Sequence, residues 1–534
     1  MKYINNKLVI AILSVVLSFN LTSCVDDLNV TPIDPSVTQT FNQDGVFAKI
    51  YASLALTGQQ GAAGSGDLDG IDEGTSSFIR LIWNLNELTT DEAICSWGDP
   101  GIPEMNFNTW TSSHDQLKGL YARFYFGISL CNLFLEETEG QTDEKSIKQR
   151  AEARYMRALN YYYLLDMFGN VPFATKVTTE LPKQIKRAEL YTWILNELTE
   201  IEADMYAPRT GSYYRADQAA NWMLQTRMYL NAEVYTGTAQ WNKAAEYSMK
   251  VMTSAYKLNP SYEQLFMGDN AGAFDNSSVN TAPQEIILPI AADGIKTSSY
   301  GNSLFLIAST RTTGMPAWGT TEGWGGNRAR YSLSKKFFPG GIPTGSDLSK
   351  LKTLAGDDRA MFFGWDIADS KSTDVMKVVS PAIFKQGLSV TKYTNVRADK
   401  AASNHVQFVD TDYPLMRIAE AYLSYAEAVT RGASVLNGKA ALDVVNDLRT
   451  RAHASKLNAL SLETLCDEWS REFFFEGRRR TDLIRFGFYG GSDYNWEWKG
   501  GSMAGTKFSA NYNLFPIPTT DLTANPNLEQ NTGY

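Results

Sequence analysis

Histidine is scarce in this chain: three in 534 residues, His114, His405 and His453. They lie far apart and form no His-Glu-x-x-His or paired-His pattern, so a metal centre would have to be built mostly from carboxylates. Cysteine is nearly as rare, at four. Apart from Cys24, which stands in the export segment, Cys95, Cys131 and Cys466 are odd in number and share no short spacing. That excludes a disulfide framework and a zinc knuckle and leaves isolated buried thiols. Positive charge is also in deficit. Lys plus Arg total 49 against 59 Asp plus Glu, a net charge of -10. Phosphate contacts need a basic surface, so no nucleic-acid partner is expected. Gly-x-Ser-x-Gly, the P-loop and the dinucleotide fingerprint are all missing.

What is present begins at the front. Lys2 and Lys7 precede an apolar run from Leu8 to Phe19, shorter than the about 20 residues of a spanning helix. A basic front, a short apolar core and small residues behind it read as a secretory signal. Leu21-Thr22-Ser23-Cys24 is similar to a bacterial lipobox, which implies cleavage before Cys24 and lipid on its thiol. The plainer alternative is an ordinary cleaved signal with an incidental cysteine. Residues 1–23 are thus read as a lipoprotein signal peptide. Residues 24–40, polar and carrying Pro32 and Pro35, are read as a tether between lipid and fold.

Beyond the tether, helical periodicity dominates. From Glu144 to Phe168, Ile147, Ala151, Tyr155, Ala158, Tyr162 and Leu165 recur at spacings of three and four, which predicts an amphipathic helix stopped by Gly169-Asn170-Val171-Pro172. Helices are likewise predicted over 216–235 and 241–256, a pair of tetratricopeptide type, over 414–431 and 438–454, and over 462–480. The fold class is mostly α: tetratricopeptide-like helix pairs in a superhelical scaffold, with a loop-rich subdomain. Residues 41–265 form the N-terminal helical region, 266–413 a loop-rich insertion and 414–534 the C-terminal helical region. Glu285–Ile290 and Leu304–Ile307 read as short strands.

Aromatics make 12% of the chain. Several stand in Gly-rich loops, where a core explanation is weak. Trp324 lies in Glu322-Gly-Trp-Gly-Gly-Asn327, Trp97 is followed by Gly-Asp-Pro-Gly, and Tyr300 follows Thr297-Ser-Ser299. A pyranose offers an apolar C–H face and a rim of hydroxyls, which suits stacked rings with Arg or Asp at the edge. Each ring has burial as its alternative, and Arg80 an ion-pair role. Trp222, Trp241 and Trp469 lie on helical stripes and read as core. Trp496 and Trp498 read as packing or as a second sugar platform.

Five ordered motifs carry a resemblance. They are Arg150-Ala-Glu-Ala-Arg-Tyr-Met-Arg-Ala-Leu-Asn-Tyr161 with Phe168-Gly-Asn-Val-Pro172, then Arg417-Ile-Ala-Glu-Ala-Tyr-Leu423 with Ala426-Glu-Ala428. Next come Arg471-Glu-Phe-Phe-Phe-Glu-Gly-Arg-Arg-Arg-Thr-Asp-Leu-Ile-Arg-Phe-Gly487, Leu514-Phe-Pro-Ile-Pro518 and the ending Asn525-Pro-Asn-Leu-Glu-Gln-Asn-Thr-Gly-Tyr534. Over nearly the whole mature chain these resemble the SusD/RagB family of outer-membrane glycan-binding lipoproteins. The resemblance implies no catalysis, a lipid anchor in the outer membrane facing the extracellular side, and a SusC-like TonB-dependent transporter as partner.

Further stretches, among them Asp67-Leu-Asp-Gly70, Asp72-Glu-Gly74, Gly314-Met-Pro316 and Gly323-Trp324, are similar to the starch-binding founding member. Carried over by motif, the implied glycan-binding residues are Arg80, Trp97, Tyr300 and Trp324, with Asp99 substituting for an asparagine. The implied ligand is starch, maltooligosaccharide or a related α-glucan. The acidic loop that holds calcium there is altered here around Asp269 to Pro283, so no cofactor is expected and a structural calcium stays open. Two other classes compete. An exported glycoside hydrolase would need paired carboxylates, for which Asp357 with Asp358, Glu472 with Glu476 and Asp91 with Glu92 are available. A tetratricopeptide-type protein-docking scaffold would share the fold.

Overall fold

The computed structural model describes residues 41–534; the signal, Cys24 and the tether read from sequence lie outside them. The scaffold is a set of helices packed largely in pairs. We label Phe78–Trp83 α1, Asp115–Glu137 α2, Glu144–Phe168 α3, Arg187–Ile201 α4, Gln218–Leu230 α5 and Trp241–Met252 α6. Ala419–Thr430 is α7, Ala441–Arg451 α8, Leu462–Phe473 α9 and Arg479–Arg485 α10. Helix α2 packs on α3, α3 on α4, α5 on α6, and α7 on α8. Helix α6 also packs on α7, so the chain between them leaves the scaffold and rejoins it. Leu230, Ala244, Ala245, Met249, Ala426, Val444, Leu448 and Trp469 form one buried cluster across these helices. Small alanines let the backbones approach while Trp469 fills the space left. Among the described residues no helix is long and apolar enough to cross a membrane.

Helix α3 runs over the predicted residues, but its environment differs from the stripe. From Ala151 to Phe168 it is buried almost all round, whereas Ile147 on the predicted stripe is 36% exposed. A helix with neighbours on every side needs polar partners inside: Glu152 takes a bond from the Tyr51 hydroxyl at 2.6 Å and from Arg215 Nε at 2.9 Å. Other boundaries also shift. The 216–235 helix breaks at Asn231 into Gln218–Leu230 and Ala232–Thr236. The 462–480 helix ends at Phe473, and Phe475 at φ 64° turns the chain before α10. Leu304–Ile307 lies in the helix Ser303–Ala308 rather than in a strand, because buried neighbours on all sides remove the periodicity that separates the two.

Residues 414–417 are a strand rather than the start of α7. We label Ala93–Cys95 β1, Ile286–Ile290 β2, Asn327–Ala329 β3 and Tyr413–Arg417 β4. Strand β2 pairs antiparallel with β4, Ile286 opposite Arg417 and Ile290 opposite Tyr413. This ribbon ties the insertion to the scaffold. Of the tryptophans read as core, Trp469 is fully buried while Trp222 and Trp241 are half-buried. Lys250 lies over the Trp222 ring at 5.6 Å and Arg431 over Trp241 at 5.0 Å, so cations cover their outer faces. Trp496 is 2% exposed, which makes it a packing residue, while Trp498 is half-buried and donates to the Val378 carbonyl at 2.8 Å.

Candidate functional site

One hydrogen-bonded ribbon and one short helix assemble the site. Strand β1 pairs antiparallel with β3, Cys95 opposite Asn327, and the ladder continues as Ser96 N donates to the Gly326 carbonyl at 3.0 Å. Trp97 follows the end of β1 and Trp324 precedes the start of β3, so antiparallel pairing brings two tryptophans 227 positions apart in sequence together. Their ring centroids are 6.5 Å apart. A Cβ on Gly326 would sit 2.3 Å from the Trp97 ring, so only glycine leaves room for that indole. The Trp324 loop is fastened from the other side: Trp324 N donates to the Ala308 carbonyl at 2.7 Å and Gly325 N to that of Arg311 at 2.9 Å.

Tyr300 and Arg80 meet through α1. Ser77 Oγ donates to the Gly301 carbonyl at 2.6 Å and Arg80 N to the same oxygen at 3.2 Å. A Cβ on Gly301 would lie 2.3 Å from the Gly74 carbonyl and from Ser77, so the residue after Tyr300 must be glycine for this approach.

The three rings form a row, each tilted on the next. Trp97 to Trp324 spans 6.5 Å at an interplanar angle of 52°, and Trp324 to Tyr300 spans 6.4 Å at 47°. Phe305 backs Trp97 at 6.4 Å and Phe408 backs Tyr300 at 5.4 Å. The rings are half-buried. They line a wide cleft of about 640 Å³ with Arg80, Asp99, Ala62, Ala63, Asp72, Glu73 and Gly74. All five glycan-contact residues named from sequence, Arg80, Trp97, Asp99, Tyr300 and Trp324, stand on its walls.

The Arg80 guanidinium lies 5.2 Å from the Phe305 ring and 6.0 Å from Trp97, and its Nε is shielded from water with no hydrogen-bond partner. Burial lowers its pKa, while Asp72, Cys95 and Asp99 favour the charged form. Arginine stays cationic and keeps free donors for hydroxyl oxygens. Asp99 is exposed on the rim.

Sequence reasoning missed the residues that hold the rings. Glu322 Oε2 accepts from Trp324 Nε1 at 2.6 Å, and its Oε1 accepts from Gln407 Nε2 at 2.8 Å. The same Gln407 amide donates to the Tyr300 hydroxyl at 3.2 Å. One carboxylate and one amide thus fix the angle between Tyr300 and Trp324. Glu322 stands two residues before Trp324 and was findable; Gln407 carries no signal in sequence.

The carboxylate pairs that a hydrolase would need are engaged elsewhere. Asp91 binds Lys336 at 2.8 Å and Arg479 at 2.7 Å, and Glu92 accepts from Ser470 Oγ at 2.5 Å. Asp357 pairs with Arg359, and Asp358 with His453. Glu472 and Glu476 sit in an ion-pair network, whose partners are Arg359, Arg417, Arg451 and Lys392 rather than the sequence-adjacent Arg471 and Arg478–Arg480. Asp269 is likewise engaged. Its oxygens accept from Ser277 Oγ, Asn280 Nδ2, Ala398 N and Asp399 N, while Asp399 pairs with Arg397. Asp269 itself is thus satisfied by protein donors, whereas Asp410 Oδ1 and Asp412 Oδ2 are buried without a hydrogen-bond partner.

The SusD family model matches residues 380–534, and a second model, described as starch-binding and associating with the outer membrane, matches residues 34–250. Starch-binding protein SusD of Bacteroides thetaiotaomicron is 44% identical over 100% of this chain and 99% of its own length. The chain belongs to the SusD family. Among solved structures, surface glycan-binding protein A from Bacteroides thetaiotaomicron in complex with laminarihexaose has a TM-score of 0.66 at 18% identity, covering 92% of this chain and 98% of that one. A SusD superfamily protein from the same organism has a TM-score of 0.68 at 15% identity, with the same coverages. At such identities the likeness shows the SusD fold, mostly helical as expected from sequence.

Proposed function

We propose that this protein is a cell-surface lipoprotein that captures starch or maltooligosaccharides on its aromatic arc and passes them to a SusC-like TonB-dependent transporter in the outer membrane. The observation that carries the reading is the row Trp97, Trp324, Tyr300. Successive planes turned by about 50° follow a ligand whose sugar faces turn as well, as in a coiled α-glucan, and suit a flat ribbon poorly. Arg80 supplies donors beside the row. Each stacked ring contributes about 1 kcal/mol beyond area burial. Offset by the entropy of association, three rings and a few open hydrogen bonds give a dissociation constant between roughly 10 μM and 1 mM. Weak capture suits a protein that hands its ligand onward.

The rest of the reading is drawn from sequence and family. Lipid on Cys24 holds the protein at the outer membrane facing outward, and the 24–40 tether sets its reach. Binding proceeds without hydrolysis and without a resident cofactor. Calorimetric titration of residues 25–534 with a panel of α- and β-glucans tests the proposal. Heat of binding with maltoheptaose and amylose is expected; no binding of any α-glucan would overturn it.

A further inference from the structure

Glu73 stands on the wall of the cleft opposite no partner of its own. Its backbone is fixed: the carbonyl accepts from Ser76 N at 3.0 Å and Ser76 Oγ at 2.7 Å, and Asp72 Oδ1 caps Thr75 N at 2.9 Å. Arg123 holds that turn from behind, its Nε donating to the Ser76 carbonyl at 3.0 Å. The Glu73 stem lies against Gly66, which is bridged to Gly58. Yet Oε1 of this pinned side chain is shielded from water and has no hydrogen-bond donor, while Arg80 Nε on the same cleft has no acceptor. An acceptor closed to water without a donor is costly, and Oε1 is closed to a ligand as well, so a hydroxyl entering the cleft meets this carboxylate through Oε2, which is not among the shielded atoms. A glycan hydroxyl is a donor of that kind.

We propose that Glu73 binds a glycan hydroxyl through its carboxylate, and that this contact makes glycan capture depend on the protonation of Glu73. This deepens the reading of the cleft as a glycan site and rests on it. The charged groups around Glu73 are Asp72 beside it, Arg123 behind it, Arg80 and Asp99 across the cleft, and Asp67, which is already paired with Lys49 and Arg123. Burial, with the Asp72 charge adding and the Arg123 charge opposing, raises the Glu73 pKa to about 7. In the free protein the carboxyl is therefore divided between its two forms near neutrality. A donated hydroxyl hydrogen stabilises the ionised form, so by linkage the glycan binds more tightly as pH rises through 7 and expels a proton as it does.

Titration calorimetry with maltoheptaose at pH 6.0 and 8.0, in buffers of different ionisation enthalpy, tests this. The native protein is expected to bind about fivefold more tightly at pH 8.0, the gap between a neutral and a charge-assisted hydrogen bond, and to release protons near pH 7. Glu73→Gln is expected to bind at the low-pH affinity throughout with no proton release. An affinity flat with pH in the native protein, or a pH dependence that survives in Glu73→Gln, overturns the inference while leaving the glycan site intact. If the native protein binds no maltoheptaose at either pH, the reading of the cleft falls and this inference with it. The proton-release measurement on the native protein stands even if the variant fails to fold.

Discussion

At the residue scale, the site separates ring, ring holder and floor. Trp97 and Trp324 are half-buried on the cleft wall, so Trp97→Ala and Trp324→Ala are expected to weaken maltoheptaose binding at least tenfold while melting temperature moves by no more than about 2 °C. Scanning calorimetry beside a binding titration checks both, and a large loss of stability would mean the rings are structural. Gly326→Ala separates position from chemistry. It leaves every ring in place by sequence but drives a methyl into Trp97, so affinity should fall although no contact residue has changed. Both loop tryptophans were visible as candidates because their glycine-rich settings lack the periodic neighbours of a core residue. Glu322 and Gln407 fix the angle between two rings; Glu322 stands two residues from Trp324, but Gln407 comes from a distant segment and leaves no local pattern.

At the element scale, the buried ion network decides where the insertion joins the scaffold. Arg417 at the end of β4 reaches Glu472 of α9 at 2.6 Å, Glu476 at 2.8 Å and Glu285 beside β2 at 3.0 Å. Burial works to raise the Glu472 pKa, but Arg451, Arg417 and Arg359 around it hold it well below the usual carboxylate range. Removing one member strands several charges out of water. Glu472→Ala is expected to cost about 3–5 kcal/mol in chemical denaturation, far more than a surface ion pair. The pH dependence has a definite sign. Since the folded-state value lies below the ordinary 4.5, this stabilisation is complete above that pH and is lost as pH falls beneath it. Thermal unfolding below pH 4.5 should therefore drop more steeply for the native chain than for Glu472→Ala. The same strand explains the misread start of α7: Tyr413–Arg417 is held by pairing with β2, a partner more than a hundred residues away in sequence, which outweighs local helical periodicity.

At the scale of the whole molecule, the helical frame holds loops from separate regions of sequence around one cleft. Residues 62–99 and 300–324 contribute its walls, and the scaffold contacts α6 with α7 close the excursion that carries Tyr300 and Trp324. Incubation of residues 25–534 with amylose should release no reducing ends, measured against a parallel amylase control. Hydrolysis lost on substitution of Asp72, Glu73 or Asp99 would move the protein to the enzyme class. With Cys24→Ser, the full chain is expected to leave the membrane fraction on cell fractionation while its affinity for maltoheptaose is unchanged.

Sequence alone determined the helical class, the run of α3 from Glu144 to Phe168, the export signal as an expectation, and five of the ten residues that line the cleft. These are properties of composition, of spacing along one segment and of motif. Tertiary structure alone decided that α3 is enclosed on all sides, that Leu304–Ile307 is helical, that Trp496 is core, and that Asp91, Glu472 and Asp357 are spent on structural partners. It also showed the 50° steps between rings and the orphaned oxygen of Glu73. The physical reason is common to these: burial, pairing and interplanar angle depend on what the rest of the chain brings alongside, and segments hundreds of residues apart supply it.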